Sequence, residues 1–330
     1  MAVKKIFSFV FDAIFLVRPT LLIPVWTILF LGWITAVERS FFDFSLDFSS
    51  PFVKMFLVFT AVVGWIYIVN QIADRESDKI NNKLFILSQN HIPVWFAWVE
   101  ALSLLVFSLL GAWFWLDLVC FFVILTAAVM GFLYNCPPFK LKDTAWGGFL
   151  ANCFGHGILT YFAGWYVGLL SFADGAHSTQ MFGIPAIGFL FALSAGFANG
   201  AVYLTSTISD IEGDRKVGKQ TFAVKYGAKN TSLLATISVI LSFFTAFLIP
   251  HSAWIMIIPS ALCIPLFYSL YKTQNIEKAF QTFRYPVVIL SAMTALFVPA
   301  YAILVFGVVI LSRIYYKKRF NLDYPSFDKE

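Results

Sequence analysis

Nine apolar stretches dominate this chain of 330 residues: 20–37, 52–73, 93–115, 117–135, 147–170, 183–207, 231–250, 253–271 and 285–311. Each is long enough to cross a hydrocarbon core of about 30 Å as a helix of roughly 20 residues. Backbone N–H and C=O groups find no water in lipid, so a chain of this kind satisfies them within helices. The expected fold is therefore all-α, a polytopic membrane bundle of about nine transmembrane helices. It forms one domain over 1–330, with 1–17 as an interfacial segment and 313–330 as a polar tail. Only 12% of the residues are charged and 60% are hydrophobic, against about 25% charged in a soluble domain. That balance excludes a disordered chain, a soluble globule and a nucleic-acid module.

The breaks between spans alternate between weakly charged and basic ones. With the N-terminus inside, the basic side carries 16 Lys and Arg and the other side 2 before the tail. Basic loops mark the cytoplasmic face, so the expectation is a multi-pass protein of the cytoplasmic membrane, with 74–92, 136–146 and 208–230 all facing the cytoplasm. Arg313, Lys317, Lys318, Arg319 and Lys329 fit this poorly, because nine crossings place them outside. Either the last segment, which carries Pro286 and Pro299, is not a simple crossing, or the earlier loops fix the topology and the tail follows; the second is the expectation. Cys120, Cys136, Cys153 and Cys263 show no CxxC or His spacing and read as small apolar residues. Trp113, Trp115, Trp146, Trp165 and Trp254 read as interface anchors.

Two acidic clusters stand out on the cytoplasmic side. The second span ends in Asn70, Asp74 and Asp78, and the sixth ends in Asp210 and Asp214. Residues four apart share a helix face, so each set forms a ridge of oxygen atoms at the membrane boundary. Like charges at that spacing repel, and ionised groups at a membrane edge are costly. One cluster alone is ordinarily a solvated loop, its acids paired with Arg75, Lys79, Arg215 or Lys216. Two with matching spacing on one face suit a hard cation such as Mg2+, which takes carboxylates together with phosphate oxygens. Between them, Tyr134, Lys140 and Lys142 flank a Pro137-Pro138 turn that can fold back over the same site. Arg18, before Pro19, can add a further positive charge.

These segments, Asn-x3-Asp-x3-Asp at 70–78, Tyr-x2-Pro-Pro-x3-Lys at 134–142 and Asp-x-Glu-Gly-Asp-Arg-x2-Gly-x2-Thr at 210–221, resemble the UbiA superfamily of intramembrane prenyltransferases. The similarity extends over about 15–312. It implies a nine-helix bundle that binds a polyprenyl diphosphate donor through Mg2+ and transfers the prenyl group to an aromatic or other lipophilic acceptor within the lipid bilayer. By resemblance, Asn70, Asp74 and Asp78 hold one Mg2+ and Asp210 and Asp214 a second. Lys140, Lys142, Arg75, Arg18 and Tyr134 then face the diphosphate. The family's usual Arg-Pro after the first motif is absent here, and Lys83 is the local substitute. Asp74, Asp78, Asp210 and Asp214 are the expected catalytic acids, with Asp210 or Asp214 as proton acceptor.

Inside the spans, Glu100, Asn152, His156 and Asn199 are candidates for an acceptor pocket, since polar groups in a bundle serve either function or helix association. Two rival readings remain. A transporter places its acids near mid-membrane on broken helices in symmetric halves, whereas these acids gather at one boundary. A non-catalytic scaffold would have lost a metal ligand, whereas both motifs are intact.

Overall fold

The computed structural model describes residues 2–37, 50–80, 85–173, 185–249 and 253–325. Among them the chain is helical, with α1 (Ala2–Leu16), α2 (Pro19–Ala36), α3 (Pro51–Ile80), α4 (Phe85–Ser88), α5 (Val94–Trp115) and α6 (Leu118–Asn135) in its first part. A 3-10 turn (Leu141–Asp143) leads into α7 (Ala145–Ala151), a π-helical segment (Asn152–Leu159) and α8 (Thr160–Ala173), which together form the fifth crossing. Then come α9 (Pro185–Ser209), α10 (Ile211–Lys216), α11 (Phe222–Phe247), α12 (Trp254–Thr273), α13 (Ile276–Phe297) and α14 (Pro299–Phe320). Among the described residues, eight helices are long and apolar enough to span a membrane by length and composition. The fifth crossing and α13 complete a multi-pass integral-membrane bundle.

Local chemistry sets the breaks. Arg18 adopts a left-handed conformation (φ 56°) that ends α1, and Pro19 opens α2 at the position where a missing N–H costs nothing. Asp117 caps α6 by accepting from the Cys120 N–H at 2.9 Å, and its other oxygen receives Tyr166 Oη at 2.5 Å, tying α6 to α8. Asn275 caps α13.

Helices that lack a hydrophobic drive to associate in lipid approach closely at small residues. The crossing of α2 with α8 shows this: a Cβ on Gly164 would lie 1.9 Å from the Leu29 carbonyl oxygen. Hydroxyl pairs add directional links. Ser194, Ser242 and Ser260 form a chain across α9, α11 and α12 at 3.1 Å per step, and Thr27 of α2 bonds Tyr301 of α14 at 2.6 Å. The outer faces of α5 and α14 carry the apolar surface, including Trp95, Phe114, Ile303 and Phe306.

The expected ninth span, 285–311, is in fact two helices. Pro299 disfavours helical geometry in the residue before it, and Val298 (φ −126°, ψ 87°) turns the chain there. The extra helix returns the tail to the N-terminal end of the bundle. Tyr315 stacks on Phe15 at 3.8 Å, and Arg319 reaches both Asp12 and His91. The basic tail thus joins the other basic loops, and the expectation that it simply follows to the opposite side is overturned. Trp165 is also no interface anchor: it is buried, with Gly188 against its ring. All four cysteines are free; Cys120 and Cys263 are buried and the other two partly so.

Candidate active site

Helix α3 runs unbroken to Ile80, so Asn70, Asp74 and Asp78 do form a ridge at its end. Asn70 Nδ2 donates to Asn135 Oδ1 at 2.8 Å and lies 3.4 Å from Asp74 Oδ2. That aims the amide between α3 and α6. Asp74 is the hub: Lys142 Nζ reaches its Oδ2 at 2.7 Å and Lys219 Nζ its Oδ1 at 3.4 Å. Lys142 is only 6% exposed. Burial lowers its pKa, and the Asp74 carboxylate opposes that shift without cancelling it. Asp78 has one buried oxygen, Oδ2, without a hydrogen-bond partner. Burial, reinforced by the Asp74 charge, pushes its carboxyl up to about 6 against the pull of Arg18, Lys219 and Lys142.

The second ridge is bent. Helix α9 stops at Ser209, Asp210 (φ −102°, ψ 3°) starts the short α10, and the Asp214 N–H bonds the Asp210 carbonyl at 2.8 Å. Asp214 accepts Thr221 Oγ1 at 3.1 Å. Gly218 (φ 78°) supplies the left-handed turn that glycine adopts without steric cost. This brings Lys219 back, its N–H on the Asp214 carbonyl at 3.0 Å. A parallel bridge between Thr144 and Gln220 then docks this loop on the 3-10 turn after α6, with the Gln220 N–H on the Asp143 carbonyl at 2.8 Å.

The result is one charge cluster built from three chain segments. Lys219 Nζ lies 4.0 Å from both Asp214 and Asp143 while it pairs with Asp74. Burial alone would lower the Lys219 pKa, but Asp74, Asp214 and Asp143 outweigh it and raise it. Lys219, Asp143 and Asn135 are site residues that sequence reasoning missed. Lys219 sits inside the quoted motif, between Gly218 and Thr221, and the other two adjoin Lys142 and Tyr134.

The remaining candidates divide. Arg18 sits close enough for its charge to act on Asp78. Lys140, in a left-handed turn (φ 39°), opens the 3-10 turn that presents Lys142. Arg75 donates to Asn90 Oδ1 at 2.7 Å and so secures the loop after α4. Lys83 lies outside the described residues. Tyr134 and Asn152 are bonded at 3.3 Å, and Asn199 donates to the Asn152 carbonyl at 2.9 Å. Tyr134, Asn152 and His156 line a pocket between α3, α6 and the π-helical segment. Glu100, on α5, does not line it; its Oε2 is buried without a hydrogen-bond partner.

The donor set suits Mg2+ of a particular kind. Among the described residues no three His, Cys, Asp or Glu side chains close into a preformed cage. Mg2+ rarely uses one, and binds instead through one or two carboxylates plus substrate phosphate and water. Asp74 and Asp78 on one side and Asp214 on the other offer that arrangement, and the unpartnered Asp78 oxygen is a ready ligand atom.

The sequence pattern of the UbiA prenyltransferase family matches residues 21–289. A 2-acylphloroglucinol 4-prenyltransferase of Humulus lupulus is 31% identical over 214 residues, covering 58% of this chain and 47% of its own length. A probable homogentisate phytyltransferase 2 of Oryza sativa subsp. japonica is 28% identical over 241 residues, covering 67% and 59%. The chain thus spans about half the length of the curated relatives it matches. A UbiA homolog from Archaeoglobus fulgidus, solved with DMAPP and Mg2+, superposes with a TM-score of 0.67 over 91% of this chain and 99% of that one. At 17% identity that likeness speaks for the fold. The chain belongs to the UbiA prenyltransferase family.

Proposed function

We propose that this protein transfers a prenyl group from a polyprenyl diphosphate to an aromatic or other lipophilic acceptor, in a Mg2+-dependent reaction at the cytoplasmic end of the bundle. The observation that carries this reading is the convergence of Asp74 and Asp214 on Lys219. Two remote acid motifs share one point, with lysines beside them. Relatives named for acylphloroglucinol, homogentisate and chlorophyll chemistry support an acceptor with a ring system.

Breaking an allylic C–O bond places negative charge on the departing diphosphate and positive charge on the prenyl carbon. Bound Mg2+ supplies Lewis-acid stabilisation of that diphosphate. Asn70, Asp74 and Asp78 would hold one ion and Asp210 and Asp214 a second. Lys142 and Lys219 add fixed positive charge, already oriented by Asp74, so little reorganisation is needed as charge develops. Arg18 lends its charge from the α1–α2 junction. The apolar wall, with Phe59, Val63, Ile66 and Met130, keeps water from the allylic cation. Once the acceptor carbon has attacked, Asp210 or Asp214 takes the proton it loses.

Asp74→Ala and Asp214→Ala should each abolish Mg2+-dependent transfer of labelled geranylgeranyl groups while the protein remains folded in membranes. Full transfer by either purified variant overturns the assignment. Release of diphosphate without prenylated product would point instead to an acceptor absent from the assay.

A further inference from the structure

The break between α1 and α2 turns on a residue that resists the shape it holds. Arg18 lies in the left-handed region (φ 56°, ψ 65°), and Pro19 follows it. A β-carbon makes that region costly, and a following proline drives the residue before it toward extended backbone. The other non-glycine residues with positive φ among those described, Asn90, Lys140, Gln274 and Asn321, do not precede a proline. Glycine takes such a turn without steric cost, so nothing in the backbone calls for arginine here. Backbone held off its preferred regions persists where its surroundings over-determine it, and such places cluster at active sites and ligand clamps.

What over-determines this elbow is α3. The buried Gln71 side chain, 2% exposed, donates through Nε2 to the Leu16 carbonyl at 2.7 Å. That carbonyl closes α1, whose last turn has no helical donors of its own. Tyr67 Oη donates to the Leu21 carbonyl at 2.9 Å, in the first turn of α2. The two side chains sit about one turn apart on α3 and grip the chain on either side of Arg18. Within the elbow, the Arg18 N–H bonds the Phe15 carbonyl at 3.1 Å, and the Leu21 N–H bonds the Arg18 carbonyl at 2.9 Å.

The same grip fixes where the arginine's charge lies. Gln71 and Asp78 fall within about 20° of one another around α3, as do Tyr67 and Asp74. The stripe of α3 that holds the elbow therefore runs on into the acid ridge, and the Arg18 charge acts on Asp78. A guanidinium beside that ridge suits phosphate oxygens, which its planar fork binds in pairs.

We propose that Gln71 and Tyr67 are positioning residues: by gripping the Leu16 and Leu21 carbonyls they hold the α1–α2 elbow so that Arg18 meets the diphosphate of the donor. The proposal rests on the prenyl-transfer reading and names the parts of the chain that set its donor contact. Neither residue takes part in bond breaking.

The test measures binding of geranylgeranyl thiodiphosphate, a non-reacting donor, to the full chain in lipid nanodiscs with Mg2+. Arg18→Met should weaken binding about tenfold, as loss of a charged hydrogen-bond donor does. Gln71→Met, which keeps the length and loses the amide, should weaken it about fivefold and Tyr67→Phe about threefold, as loss of one neutral hydrogen bond does. In an Arg18→Met background both effects should vanish, because residues that act through one group do not add. Arg18→Gly should bind as poorly as Arg18→Met yet melt at a higher temperature, since glycine relieves the left-handed turn. Losses that multiply in the double variants would mean that Gln71 and Tyr67 act on the ridge by another route, and would overturn the proposal. So would unchanged binding in Gln71→Met and Tyr67→Phe. If Gln71→Met does not fold, the Tyr67→Phe cycle decides alone. The prenyl-transfer reading fails on a different result, the absence of Mg2+-dependent binding by the wild type, and the proposal falls with it.

Discussion

Two acidic sites lie at the same end of the bundle, and they are built on opposite principles. Asp12 is 2% exposed and fully matched: Arg319 approaches with Nε and Nη2, each at 3.0 Å, and Tyr315 Oη donates at 2.6 Å. Asp74, Asp143 and Asp214 instead share Lys142 and Lys219, and an oxygen of the neighbouring Asp78 has no hydrogen-bond partner. Both are acids at a membrane edge. The first is closed, a clasp that holds α1 to α14 and, through Arg319 and His91 at 2.9 Å, to the loop after α4. The second keeps surplus negative charge at a convergence of three segments, which is what a cationic ligand needs. The number of carboxylates does not distinguish structure from site; the balance of their partners does.

The contrast is testable from both sides. Removing one member of a buried, hydrogen-bonded ion pair costs about 3–5 kcal/mol. Asp12→Ala should therefore give the largest loss of stability, read as a lower melting temperature in detergent, with transfer per folded molecule unchanged. If transfer falls as steeply as stability, the clasp is part of the site. Lys219→Met should do the reverse, lowering kcat by about 10²-fold, as loss of a preorganised electrostatic group does. A rate within twofold of wild type would reduce Lys219 to a structural tie.

The smallest effect is a pH dependence. The folded Asp78 pKa, about 6, lies above its ordinary value of 3.8. Its contribution to stability is complete below pH 4 and is lost as pH rises through about 6. In EDTA, the melting temperature of the wild type should fall over that window relative to Asp78→Asn. Parallel curves would mean that Asp78 is not strained in the metal-free protein.

How much of this was legible in the sequence depends on range. The ridge at 70–78 was readable because its three residues share one helix, and the bundle because hydropathy is local. The second ridge kept its spacing but not its straightness, since Asp210 breaks the helix there. The division of 285–311 was visible in Pro286 and Pro299 only as the second choice, because a hydropathy window sees the same apolar residues on both sides of Pro299. Lys219 passed as one more basic loop residue until the Thr144–Gln220 bridge fixed its direction. Glu100 stood out by being charged within a span; its Oε2 is buried on α5, apart from the residues that line the pocket between α3, α6 and the π-helical segment. The Asp12–Arg319 pair was out of reach of any local pattern, its members being 307 residues apart.

That separation also sets an order in time. Arg319 leaves the ribosome 307 residues after Asp12. At about 5–20 residues per second, the acid waits tens of seconds for its partner. Until then α1 carries an unmatched carboxylate and has reason to stay in the headgroup layer. Docking of α1 therefore waits for the arrival of α14, and a chain that stalls before residue 319 is left with an open seam.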